Sequence, residues 1–73
     1  MGTQIEKDFL TICRSNEWDV KEIQSEARDR QVVARRRVIA EILHAKDYSL
    51  SAIGSVLNRQ PPAVINLLRK RKR

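Results

Sequence analysis

The apolar residues of this chain recur at three- and four-residue spacing rather than in strict alternation, the period of helices that pack by one face. Ile5, Phe9, Ile12 and Cys13, with Leu10 beside them, predict a first helix over about Thr3 to Ser15, closed by Ser15-Asn16-Glu17. A second, short helix is expected over about Val20 to Glu26. Asp19 marks its start as N-cap, Glu22 stands at capping-box spacing, and Trp18 and Ile23 are placed to staple the entry. The third and longest helix should run from about Asp29 to Ala45. Ala34, Val38 and Ile42 form one row and Ile39 and Leu43 the adjacent row, and together they predict its buried stripe. Arg30, Arg36 and Arg37 then fall largely off that stripe and predict a basic outer face. Lys46-Asp47-Tyr48 interrupts the pattern, and Ser49 is placed to cap the next helix.

From Ser49 to Leu68 the spacing fits a helix-turn-helix. A short helix over Leu50 to Leu57 would bury Leu50, Ile53 and Leu57, and Gly54 follows Ile53 where two helices must cross closely. Asn58 sits where the turn needs a left-handed residue, which Asn tolerates better than most. Pro61 falls in the first turn of the last helix, where its missing N–H is harmless. Val64 and Leu67 or Leu68 are spaced to pack that helix back on the one before it. The expected fold is all-α, four to five short helices in one domain over residues 1–73, with no repeat and no dividing linker. An ordinary helical hairpin would show part of the same corner.

Charge changes the picture. Residues 1–27 hold three bases and six acids, whereas residues 28–73 hold twelve bases and three acids. The second part is therefore the one suited to a polyanion. Residues 69–73 are all basic, although a terminal charge run alone is usually a solvated tail. The single cysteine, Cys13, cannot form an internal disulfide, and no apolar run approaches the length of a membrane span, so a cytoplasmic chain is expected. Seventy-three residues leave no room for a large enzyme domain. Cys13 and His44 lie in different predicted helices with no third orienting group, and one Cys with one His does not make a zinc site. No catalytic residues, metal or cofactor are expected.

At this point the chain resembles a family. Arg28-Asp29-Arg30-Gln31-Val32-Val33-Ala34-Arg35-Arg36 looks like the basic helix of the C-terminal DNA-binding domain of the bacterial replication initiator DnaA, in the Trp-repressor/DnaA-like helix-turn-helix group. Ser49-Leu50-Ser51-Ala52-Ile53-Gly54 resembles that family's Ser-Leu-x-Glu-Ile-Gly, and Asp19-Val20-Lys21-Glu22-Ile23 is similar to its second helix. The resemblance runs from about Ile5 to Arg69, with one residue missing between Arg36 and Ser49 and another after Gly54. It implies phosphate contacts from Arg28, Arg30 and Arg36. Where the family has Arg-Asp-His-Thr-Thr-Val at the start of its recognition helix, this chain has Arg59-Gln60-Pro61-Pro62-Ala63-Val64. Arg59 and Val64 match and the reading residues do not, so the family's target sequence does not carry over. Neither does its ATPase activity, since that domain is absent here.

The expected function is duplex DNA binding by a bacterial or phage module that regulates transcription or replication. The helix-turn-helix, about 49–69, would enter the major groove. Arg28, Arg30, Arg35, Arg36, Arg37 and Arg59 are the candidate backbone contacts. Gln60, Pro61, Ile65, Asn66 and Arg69 are the candidate base contacts, Gln60 and Asn66 suiting adenine, Arg69 guanine or phosphate, and Ile65 and the prolines thymine methyls. On this reading Arg36→Ala leaves the fold intact and weakens all duplexes alike. The other reading is a small helical protein-interaction module, using the acidic first helix or the Pro61-Pro62-Ile65 surface to contact a replication or transcription protein. No heptad seam is present to hold a second copy.

Overall fold

A computed structural model describes residues 3–69, and the basic residues 70–73 lie outside the described part. The described residues form five α-helices and no strands: α1 (Gln4–Ser15), α2 (Val20–Gln24), α3 (Arg30–Ala45), α4 (Leu50–Leu57) and α5 (Pro61–Leu68). The fold class is the expected one. Each helix adds at least one side chain to a single core: Ile5, Phe9 and Cys13 from α1, Ile23 from α2, Ile39, Ala40 and Leu43 from α3, Ile53, Val56 and Leu57 from α4, Val64 from α5.

The helix starts follow from local chemistry. Thr3 and Glu6 form a reciprocal capping box on α1, the Glu6 N–H donating to Thr3 Oγ1 at 3.3 Å and the Thr3 N–H to Glu6 Oε1 at 3.0 Å. Asp19 caps α2 by accepting from the Lys21 N–H at 2.9 Å, and Ser49 caps α4 by accepting from the Ala52 N–H at 3.1 Å. The expected capping box at Asp19 and Glu22 is not made: Asp19 accepts from the Lys21 N–H rather than from that of Glu22, and the Glu22 side chain reaches out to Arg35 at 3.5 Å. Helix α2 also stops early. Ser25 Oγ donates to the Glu22 carbonyl and accepts from the Ala27 N–H, so the chain turns away at Ser25 instead of continuing to Glu26.

Helix α3 corrects the expected stripe. Its buried face is Val32, Arg36, Ile39, Ala40 and Leu43, while Ala34, Val38 and Ile42 face outward. The register is rotated because Arg36, 3% exposed, lies inside with its guanidinium on backbone carbonyls. Leu10 is likewise exposed rather than packed, and Leu50 is only partly buried.

The helix pairs show a repeat that residue identity hides. At a spacing of thirty residues, Phe9, Cys13, Trp18, Asp19 and Ile23 answer to Ile39, Leu43, Tyr48, Ser49 and Ile53. Glu17 and Asp47 occupy matching left-handed positions, φ 58° and 70°. The Trp18 N–H closes on the Cys13 carbonyl at 2.8 Å as the Tyr48 N–H does on Leu43 at 3.3 Å. Thus the turns that join α1 to α2 and α3 to α4 are two copies of one connection.

Candidate nucleic-acid interface

The α4–α5 corner is tight for an identifiable reason. Asn58 ends α4 in the left-handed region, φ 58° and ψ 46°, which turns the chain within one residue. The Arg59 N–H then returns to the Gly54 carbonyl at 2.8 Å. A Cβ on Gly54 would collide with the Arg59 carbonyl oxygen and press on Val64 Cγ2, so no other residue permits this crossing. Val64, fully buried, anchors α5 from beneath, with Leu67 and Leu68 partly buried beside it.

That anchoring decides what α5 shows outward. Pro62, Ile65, Asn66 and Arg69 are exposed at the spacing of one helical face, with Gln60 exposed at its start and Pro61 half-buried. Ile65 is 42% exposed. Of the expected outward set, Gln60, Pro62, Ile65, Asn66 and Arg69 are exposed, and Pro61 departs from it because its ring is partly covered. The start of α5 offers few backbone donors: Pro61 and Pro62 carry no N–H, and the Ala63 and Val64 N–H groups close on the Gln60 carbonyl at 2.9 and 3.3 Å.

The arginines divide into outward and tethered groups. Arg28 and Arg30 are exposed and, among the described residues, have no hydrogen-bond or ion-pair partner. Arg36 differs from its expected role as a phosphate contact. Its Nε donates to the Ile23 carbonyl at 2.8 Å and its Nη2 to the Ser25 carbonyl at 2.7 Å, so it supports the α2 end from inside. Burial, with the charge of Arg59 adding to it, lowers the Arg36 pKa from arginine's ordinary value. Arg59 is half-buried and donates to the same Ser25 carbonyl and to Asn58. Arg37 Nε holds the Leu67 carbonyl at 3.1 Å, tying α3 to the far end of α5. Arg35 pairs with Glu22 and lies 5.5 Å from the Trp18 ring centroid. None of these three is wholly outside the fold.

Between the 25–29 loop and the α4–α5 turn lies an open groove of about 680 Å³, with Arg28, Arg36 and Arg59 along it against the single carboxylate of Glu26. Two amides lock its walls: Gln24 Nε2 donates to the Val56 carbonyl at 2.8 Å, and Asn58 Nδ2 to the Gln24 carbonyl at 3.2 Å. Gln24 and the Ser25 carbonyl carry much of this arrangement and have no sequence signature, since a glutamine in the last turn of a short helix is ordinary. Cys13 is buried at 1% exposure, and burial raises its thiol pKa, as befits a small apolar residue. Among the described residues no cluster of His, Cys, Asp and Glu is arranged for a metal, and no helix is long and apolar enough to cross a membrane. No family model, curated protein or solved structure matches the chain.

Proposed function

We propose that this chain is a duplex-DNA-binding module that places α5 in the major groove and serves in the regulation of transcription or replication, in the bacterial or phage cytoplasm. The observation that carries the reading is the α5 outer face. A tight left-handed corner and a buried Val64 fix α5 on the core with its Pro62, Ile65, Asn66 and Arg69 face turned to solvent, and Arg59 and Arg69 stand at its two ends. An α-helix with its side chains is about 10–12 Å across, which the major groove, about 12 Å wide, admits. The resemblance of the basic helix and the Ser-Leu-x-x-Ile-Gly stretch to the DnaA C-terminal domain supports the same reading.

Arg28, Arg30 and Arg69 are the outward cations that would meet phosphates, with the 70–73 tail adding to them. Arg59, Arg35 and Arg37 would contribute through the guanidinium edges left after their internal bonds. Arg36 holds the loop that carries Arg28. If about four to six phosphates are neutralised, log K falls against log salt with a slope near −4 to −5. Titration with duplex DNA across salt concentrations tests this, and absence of binding at low salt refutes it. Arg30→Ala should weaken all duplexes alike and make the slope shallower by about 1. Asn66→Ala should cost about 1–3 kcal/mol on the preferred site and little on random DNA.

One observation favours a second reading. Leu10 is 43% exposed on α1, a large apolar side chain open to solvent that a protein partner would cover and a duplex would not. Capture of one protein that survives nuclease treatment, with no duplex affinity in the titration, would select that protein-interaction role.

A further inference from the structure

We propose that α5 reads A·T pairs through the C5-methyl groups of thymine, with Pro62 and Ile65 as the methyl contacts and Asn66 and Gln60 as the adenine contacts. This inference rests on the DNA-binding reading above. Its grounds are the chemistry and order of groups along the exposed face. The middle of that face is apolar: Pro62 is exposed and Ile65 is 42% exposed, one turn apart. The thymine methyl is the one apolar group that projects into the major groove; the other projecting groups there are hydrogen-bond donors or acceptors. Those polar groups would be left unpaired against Pro62 and Ile65, so a G·C pair at that place is disfavoured.

The ends of the face are amides. Gln60 is exposed and makes no side-chain cap bond to α5, so its carboxamide is not taken up by the helix. Asn66 is exposed beside Ile65. An amide pairs with both N6 and N7 of adenine, and the adenine of an A·T pair lies beside the thymine methyl in the same groove. Amide and apolar contacts therefore select the same base pair. The start of α5 adds nothing that would outweigh this choice, because its two prolines have no N–H and the next two N–H groups are bound within the helix. Arg69 closes the face, and Arg28 and Arg30 supply positive charge beyond it, which matches a duplex better than an uncharged protein groove.

The test uses the full chain. Duplexes are selected from a randomised pool, and each thymine of the preferred site is then replaced by deoxyuridine, which removes the methyl and leaves the base edge unchanged. One or two positions should each lose about fourfold in affinity, the value of one buried methyl-sized group. Ile65→Ala should lose a similar factor on the thymine duplex and nothing further when the partner thymine is also deoxyuridine. Ile65 lies outside the core, and an unchanged melting curve will verify that the variant folds. Affinities that stay within about 1.5-fold across all deoxyuridine replacements, on the scale where one methyl gives about fourfold, overturn the methyl inference while leaving DNA binding intact. So does a pool that yields no preferred sequence. Absence of binding to any duplex at about 50 mM salt refutes the DNA-binding reading itself, and the methyl inference with it.

Discussion

Replacing Arg36 with alanine should remove a large share of this protein's stability. Arg36 is 3% exposed and its guanidinium donates to two carbonyls, Ile23 at 2.8 Å and Ser25 at 2.7 Å. A hydrogen bond from a charged donor is worth about 1.5–3 kcal/mol net. Alanine removes both bonds, leaves the Ile23 carbonyl without that donor, and opens a cavity where the three-methylene stem lay. Water entering from the neighbouring groove recovers part of the loss. The net is about 3–5 kcal/mol. A domain of this length has about 4–11 kcal/mol in all, so the substitution removes a large share of it. At about 4–8 °C per kcal/mol the melting temperature falls by at least about 12 °C. Arg36→Lys keeps the charge and one donor direction and should lose about half as much. Circular dichroism melts, repeated with urea at fixed temperature, measure both. A melting point for Arg36→Ala within about 3 °C of the parent would show that the two bonds carry little, and would return Arg36 to the solvent-facing role its position in the sequence suggests.

Gly54→Ala should cost about 1–3 kcal/mol or more in urea melts, because the new methyl meets the Arg59 backbone rather than a movable side chain; a change under about 0.5 kcal/mol would mean that the corner is slack. Asn58→Val should cost about 1–2 kcal/mol for a β-branched residue at φ 58°, whereas Asn58→Gly should lose only the bond to Gln24, and equal effects would refute the left-handed assignment. Tyr48 Oη donates to Asp8 Oδ2 at 2.6 Å, which holds the Asp8 carboxyl below its ordinary range and pushes Tyr48 up. The depressed Asp8 gives stability that is present above the unfolded carboxylate value and lost as pH falls through the lowered one. The raised Tyr48 gives stability that is present below the ordinary tyrosine value and lost as pH rises through the raised one. Tyr48→Phe should therefore flatten melting temperature against pH below about pH 4 and above about pH 10, and superimposable profiles would refute the coupling.

Helix positions were legible because caps and punctuation are local. Thr3, Asp19 and Ser49 start helices, Asn58 ends one, and Pro61 opens the last, each by a bond or a dihedral within four residues. The outward face of α5 was legible for the same reason: burying Val64 determines what lies opposite. The face of α3 was legible only in part: Ile39 and Leu43 are inside as expected, and Ala34, Val38 and Ile42 are not. Val32, Ile39 and Leu43 compete with Ala34, Val38 and Ile42 for the inside, and apolar periodicity permits both. What decides between them is two carbonyls at the end of α2, thirteen and eleven residues away from Arg36, that need a donor. A charged residue counts as outward until such an acceptor is known, so the basic face was drawn one residue too wide. The lock of Gln24 on Val56 spans thirty-two residues and leaves no periodic trace at all.

The repeated turn has a consequence for how the chain assembles. In α1–α2 and again in α3–α4 the closing bonds join residues three to five apart, so each turn is specified within its own stretch of chain. Most of the helices so joined are too short to persist alone and rely on the shared core. The bonds that fasten the end of α2 to the α4–α5 corner are of a different sort: Gln24 to Val56, Asn58 to Gln24 and Arg59 to Ser25 each span thirty-two to thirty-four residues. Closing so long a loop carries an entropy cost that neither local turn carries. The turns are therefore written into the chain residue by residue, whereas the basic groove exists only once the two ends of that loop have met.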